Sequence, residues 1–222
     1  INAGAVKPLE IYYEYGTQSG QFTGKTAPVT LQANEPADVL IDGLKRDTQY
    51  FYRMRYREPG GTDYATRPEH NFHTARAPGS SFTFTVQFDP HMDERSDEET
   101  YRMSLQNMLA DKPDFMVDVG DNFFVDKLQP KSKEGVEGRV QLLRSYYDIL
   151  NHSAALYLGM GNHEGEKGLG NGGQGGDNNL SVMATLARVD WMASTMRGTA
   201  KDASRIRSTW FEVAAGTSVG RR

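Results

Sequence analysis

One pattern occurs three times in the second half of this 222-residue chain, and it limits the fold more than any other feature. An apolar run long enough for a single strand ends in a polar tip. "FTFTVQF" (82–88) runs into Asp89-Pro90-His91, "DFMVDV" (114–119) into Gly120-Asp121-Asn122, and "AALYLGM" (154–160) into Gly161-Asn162-His163-Glu164. Segments of helical period separate the runs. In the first, Ser96 with Glu99 three residues later fits a capping box; Tyr101, Leu105, Met108 and Leu109 form the stripe, and Pro113 ends it. In the second, over about 136–150, Val140, Leu143, Tyr147 and Leu150 recur at three- and four-residue spacing. Strand–helix–strand–helix–strand predicts a parallel sheet with right-handed crossovers. The carboxyl ends of such strands line the ligand crevice, so all three tips share one edge.

The first 76 residues read differently. "LEIYYEYGT", "APVTLQ", "ADVLIDGL", "QYFYRMRYRE" and "HNFHTAR" are short strand candidates with turns between them. In the fourth, Tyr50, Tyr52, Met54 and Tyr56 share one face, and Phe51, Arg53, Arg55 and Arg57 the other, with the arginines expected toward solvent. Short antiparallel strands without helices predict a β-sandwich. "GLKRDTQYFYR" (43–53) resembles the tyrosine-corner region of fibronectin type III-like domains. Five candidates fall short of that fold's strand number, so its first strands are expected upstream of Ile1. The organisation expected is an N-terminally incomplete sandwich over 1–76, a linker "APGSS" over 77–81, and an α/β unit over 82–222, itself incomplete at its C-terminal end.

Composition narrows the chemistry. The net charge of −4 implies no broad basic surface, so no nucleic-acid partner is expected. No apolar run approaches the roughly 18 residues of a membrane span. Cysteine is absent, which excludes disulfides and thiolate ligands and leaves any metal to His, Asp, Glu, Asn or backbone oxygen.

Asp89 and Asp121, brought to one sheet edge, would repel each other, and a divalent ion would let both ionise. An Asp, His and Asn set suits Mn, Fe or Zn. Gly120 and Gly161 permit sharp turns and close backbone approach. "DPH", "GDN" and "GNHE", in this order on these strands, resemble the first three signatures of the calcineurin-like metallophosphoesterases. The preceding β region resembles the sandwich placed before the catalytic domain of purple acid phosphatases, whose own first motif differs from D-x-H. The resemblance spans about 9–164. It implies hydrolysis of a phosphomonoester or phosphodiester by a metal-bound hydroxide at a dinuclear centre, with Mn, Fe or Zn as the ions. Asp89 and His91 would ligate one metal, Asp121 would bridge both, and Asn162 would ligate the second. His163 would serve the leaving group, and Glu164 would orient His163. By the same analogy the protein is expected to be secreted or periplasmic.

The sequence departs from that family after His163. The five histidines are His70, His73, His91, His152 and His163, and the family's later imidazoles have no counterpart. Two expectations follow: the chain is cut within the catalytic domain, or its last part is read in a wrong frame. A competing function is a binding module in which the α/β part is a non-catalytic remnant. Other features read as structural. His70 and His73 are expected in surface or packing roles, and His152 at a helix C-terminus, where a cation complements the dipole. Gly168 to Gly173 match G-x-G-x-x-G, but low complexity explains them better. A helical stripe through Val182, Leu186, Val189, Ala193 and Met196, and a strand around 210–213, are the elements expected in the tail.

Overall fold

A computed structural model describes residues 1–93, 95–165 and 179–192. The expectations for the glycine-rich segment, for Ala193 and Met196 and for 210–213 lie outside the described residues.

The N-terminal part is built from β1 (Asn2–Ala3), β2 (Leu9–Gly16), β3 (Gly24–Lys25), β4 (Val29–Leu31), β5 (Ala37–Asp38), β6 (Gln49–Arg57), β7 (Ala65–Thr66) and β8 (His70–His73). β2 and β6 are its spine. They pair antiparallel over seven residues, and β3 and β4 add to β2 while β7 and β8 add to β6. β1 and β5 form a separate two-stranded ribbon. Ala3 from that ribbon and Val39 just after it are buried with Ile11, Tyr13, Leu31 and Tyr52 in one apolar cluster. β1, β3 and β7 are two residues long, too short to show the alternation by which strands are read. The expected strand over "ADVLIDGL" contracts to Ala37–Asp38. The Tyr50 hydroxyl accepts the backbone N–H of Lys45 at 2.9 Å, closing the turn before β6.

The arginines of β6 are not simply solvated. Arg53 faces Glu14 across the ladder, and Arg57 faces Glu10. Arg53 and Arg55 both reach Glu14, at 2.7 and 3.5 Å, and Arg57 pairs with Glu10. Arg53 also covers the Phe22 ring and Arg57 the Tyr64 ring.

The C-terminal part contains β9 (Phe84–Gln87), α1 (Glu98–Ala110), β10 (Phe115–Asp118), a 3₁₀ turn (Val125–Lys127), α2 (Lys133–Asn151), β11 (Ala155–Leu158) and α3 (Leu180–Trp191). The three strands pair parallel in the order β11-β10-β9. Helices α1, α2 and α3 contribute Leu105, Val140, Leu143, Tyr146, Leu150, Ala184 and Trp191 to one apolar core with Met116 and Leu158 of the sheet. No helix among the described residues is long and apolar enough to cross a membrane.

Three local readings change. The N-cap of α1 is Asp97, which accepts the Thr100 amide at 3.1 Å. Ser96 instead donates its hydroxyl to the His91 carbonyl and accepts the Asp93 amide, closing the loop that carries the first polar tip. α3 buries Leu180, Ala184, Ala187, Arg188 and Trp191, whereas Leu186, expected on its apolar face, is 48% exposed. The phenylalanine face of β9 is turned away from the helices. Gln87 is the buried residue of that strand, and Phe84, Val86 and Phe88 are 50, 45 and 68% exposed. Phe84 stacks on Phe115 of β10 at 5.3 Å, so the face is continuous across two strands.

Candidate metal centre at the strand tips

Hydrogen bonding between turns, more than the strands themselves, places the polar tips. The Asp89 amide donates to the Gly120 carbonyl, the His91 amide to the Asp121 carbonyl, and the Met92 amide to the Asn122 carbonyl. These bonds lay the first tip along the second. Asp89, His91 and Asp121 all take positive φ, at 53, 47 and 54°. Asp and His tolerate this region better than most residues, and it costs backbone strain that clusters at functional sites. The third tip comes closer still. A Cβ on Gly120 would stand 2.0 Å from the Gly161 nitrogen, and one on Gly161 would stand 2.1 Å from the Asp121 nitrogen. Only glycine fits either position.

Glu164 fastens the two turns together. Its carboxylate is fully buried and accepts the amides of Asp121, Asn122, Phe123 and Gly161. Contrary to the role that the resemblance implies, it makes its bonds to these backbone amides and does not orient His163. That place belongs to Asp126 of the 3₁₀ turn, whose Oδ1 lies 2.6 Å from His163 Nδ1. The pair has the geometry that fixes an imidazole tautomer, with Nδ1 protonated. Asp126 follows the second tip in a stretch of ordinary sequence, and no apolar period marks it. Its place on a short 3₁₀ turn could have been found only from the fold.

A second buried carboxylate stands behind the loop. Asp118, at the end of β10, accepts the Gly120 amide at 2.7 Å, Asn122 Nδ2 at 3.1 Å, Gln87 Nε2 at 2.7 Å and the Tyr147 hydroxyl of α2. Burial pushes its pKa up, against the pull of these donors. Arg188 of α3 is buried near both Asp118 and Glu164 and donates to the Gly159 carbonyl, so one cation faces two buried anions.

The side chains that the tips bring together are His91, Asp121 and His163. One ligand atom from each lies within 4.8 Å of the others, and together they form the one such group of three among the described residues. His91 Nε2 is 3.6 Å from Asp121 Oδ2 and 3.6 Å from Asp89 Oδ1. It is buried and has no hydrogen-bond partner. An orphaned imidazole nitrogen between two carboxylates, each just beyond hydrogen-bond distance, is the donor arrangement that fits a cation. Asp121 Oδ1 accepts the His163 amide at 2.8 Å. Burial acts to raise the Asp121 carboxyl, but the His163 amide and the two imidazoles outweigh it and hold it below the usual carboxylate range. Asp89 sits at the rim with its side chain about half exposed, and Asn162 is half-buried on the third tip. Phe124 lines the same wall. Its ring stacks on His91 at 4.6 Å and meets His163 at 4.4 Å nearly at right angles.

No family model matches the chain, and no curated protein matches it by sequence. Among solved structures, the purple acid phosphatase PPD1 from yellow lupin (Lupinus luteus) seeds is similar over 83% of this chain and 35% of its own, at 15% identity and a TM-score of 0.58. That likeness is one of fold: a β-rich part followed by a parallel sheet. The chain therefore spans about a third of the length of that solved chain. A β-glucuronidase of Bacteroides uniformis, at 10% identity and a TM-score of 0.32 over 95% of this chain and 29% of its own, and one of Parabacteroides merdae, at 8% and 0.31 over 69% and 24%, are too dissimilar to bear on the fold.

Proposed function

We propose that the strand tips form the metal-holding part of a phosphoesterase that hydrolyses phosphate monoesters or diesters. The observation that carries the reading is the buried, unpartnered His91 Nε2, set 3.6 Å from the carboxylates of Asp89 and Asp121. Asp89, His91 and Asp121 would hold one ion, and Asp121 with Asn162 a second, with Mn, Fe or Zn suited to this donor set. Such ions supply positive charge to the phosphoryl oxygens and lower the pKa of a water. The chain's own part is to position and to move a proton. Asp126 accepts a hydrogen bond from His163 Nδ1, so Nε2 would be the nitrogen that exchanges a proton with the leaving oxygen. Glu164 and Asp118 hold the second and third tips in register, so the ligand side chains meet without further ordering. The likeness in fold to the lupin purple acid phosphatase supports the same reading, as does the order of the motifs.

The β-rich part is assigned as a fibronectin type III-like domain over 1–76, with the Tyr50–Lys45 bond as its tyrosine corner. By analogy with sandwich-bearing phosphoesterases, we assign the protein to the secretory or periplasmic space. A second reading, a binding module with a non-catalytic remnant, is favoured by one fact: among the described residues a single group of three metal-competent side chains comes together.

Metal dependence separates the two. The chain with added Mn²⁺ or Zn²⁺ is expected to hydrolyse p-nitrophenyl phosphate, and chelator or Asp121→Asn to abolish turnover. Undiminished activity in chelator would sink the metal mechanism. A chain that binds no divalent ion by calorimetry would leave the remnant reading standing.

A further inference from the structure

We propose that the boundary between the β-rich part and the α/β part carries an acid-sensitive clasp, in which the stacked rings of His70 and His152 hold the two parts together while neutral and release them when protonated. The proposal goes beyond the phosphoesterase reading and does not depend on it.

His70 is the first residue of β8, and His152 caps the C-terminal end of α2, three residues before β11 begins. The clasp thus lies at the start of β11, away from the polar tip that follows its end. The two rings are 4.2 Å apart and 28° from parallel. Tyr52 of β6 joins the same place: its hydroxyl donates to the His152 carbonyl at 2.7 Å, and its ring lies 5.9 Å from His70. The parts are also bridged where Arg144 of α2 donates to the side chain and the carbonyl of Asn2, and where Arg76 pairs with Asp114 at 2.8 Å. A cleft of about 880 Å³ lies along the boundary, with Tyr13, Met54 and Phe72 lining it from one part and Tyr147 and Asp148 from the other. The buried apolar residues form two separate clusters, one in each part. Among the described residues, polar and ring contacts around a cleft join the parts, and the clasp sets two imidazoles at one of these contacts.

Neutral imidazoles can stack face to face, but two imidazolium ions at this separation repel each other. The surroundings add to that cost. Burial lowers both histidines; His70 lowers His152 further, with a backbone hydrogen bond at Ile149 opposing. Arg67, between β7 and β8, lines the same cleft and also lowers His70. Asp148 of α2 opposes it, but Arg144 and Arg67 each act on Asp148 more strongly than His70 does. Tyr52, whose hydroxyl burial keeps neutral, supplies no charge. Asp114 and His73 line the cleft as well, and both meet the Arg76 guanidinium. Rings held below the ordinary histidine value bind fewer protons while clasped than when apart. The closed form is therefore favoured above 6.5 and gives way as pH falls below it.

The chain has no cysteine, so a dye pair for energy transfer can be attached through Thr62→Cys in the β-rich part and Gln106→Cys on α1, both exposed. On the full labelled chain, transfer efficiency is followed from pH 7.5 to 5.0 in the parent, in His70→Phe and in the double variant His70→Gln with His152→Gln. The parent is expected to shift as pH falls below 6.5, His70→Phe to lose most of that shift, and the double variant to lose all of it. His70→Phe keeps a ring in the stack and removes its charge, and thermal melts at pH 7.5 establish that each variant folds. Constant transfer in the parent overturns the clasp, as does an equal shift in the double variant. Far-UV circular dichroism of the parent should be the same at pH 7.5 and 5.0. A loss of that signal in step with the transfer would mean unfolding rather than opening, and would overturn the clasp as well.

Discussion

Two regions of the molecule gather charge in opposite ways. On β2 and β6, three arginines meet two glutamates across an antiparallel ladder, and each charge has an opposite charge beside it. At the tips of β9, β10 and β11, carboxylates and imidazoles converge on a gap, and His91 Nε2 is left without a partner. The ladder supplies its own counter-charges, with Glu14 shared by two arginines. The tips bring an imidazole nitrogen and two carboxylates within 3.6 Å without closing a hydrogen bond between them. The two clusters differ in how their ionisable residues are partnered, although both are rich in them, and on the proposed reading the tips are the ones built for a ligand.

The largest effect should come from the carboxylate that fastens the tips. Glu164→Gln replaces an acceptor of four backbone amides with a group that presents donors to some of them. Such a change strands buried N–H groups and costs about 3 kcal/mol or more. Chemical denaturation should show it as a large fall in midpoint. A loss as small as that of a ladder glutamate would mean that the two clusters do not differ in kind.

Metal addition sharpens the same contrast. If the tips hold a cation, saturating Mn²⁺ or Zn²⁺ at about 100 times its Kd stabilises the fold by about 2.7 kcal/mol. A thermal shift assay reads this directly, and Asp121→Asn should erase it. Glu14→Gln should leave it intact, because the ladder has no share in the ion. An equal shift in Asp121→Asn would place the ion elsewhere.

A third pair of ionisable groups sits between these extremes. His70 of β8 stacks on His152 at the end of α2, ring centres 4.2 Å apart, and Tyr52 donates its hydroxyl to the His152 carbonyl. Burial lowers both histidines. Arg67 also lowers His70 and Asp148 opposes it, while His70 lowers His152. The helix end alone would favour a cationic His152, but its surroundings favour the neutral ring. A histidine depressed in the folded state binds fewer protons there than in the unfolded chain, so stability rises with pH. The contribution is fully present above 6.5, the ordinary histidine value, and is lost as pH falls below it. Denaturation midpoints at pH 7.5 and 5.5 should differ less in His152→Gln than in wild type. An unchanged difference would show that the stacked pair does not titrate in this window.

Much of this is legible in the sequence, and the misses share a cause. The three strands, both crossover helices and the positions of the polar tips follow from period, caps and breakers, and the structure has them within a few residues. Gly120 and Gly161 stand at the close approaches that their turns require. What sequence does not supply is the identity of partners. Alternation puts Phe84 and Val86 on one face of β9, but period alone does not say which face the helices cover; they cover the face of Gln87. The resemblance implies that Glu164 orients His163, yet adjacent residues in a tight turn point apart, and Asp126 fills that role from 37 residues away. β6 shows its arginines plainly, but their glutamates lie on β2, which only the strand register brings opposite.

The ladder should give the smallest effect and the clearest salt dependence. Arg53 and Glu14 keep 32 and 19% of their side-chain surface in water, so their attraction is screened and partly offset by the entropy of holding two side chains in place. Arg53→Met should cost about 1 kcal/mol or less, with part of that from removing the guanidinium that covers the Phe22 ring. Raising NaCl from about 0.1 M to 1 M shortens the Debye length from about 10 to 3 Å and should remove most of the difference between wild type and Arg53→Met. The penalty of Glu164→Gln should persist in the same salt, because it arises from buried amides without acceptors rather than from a screened attraction. If salt erased both penalties equally, the Glu164 carboxylate would be acting as a surface charge, and the contrast between a solvent-screened ladder and a buried carboxylate that fastens the tips would fail.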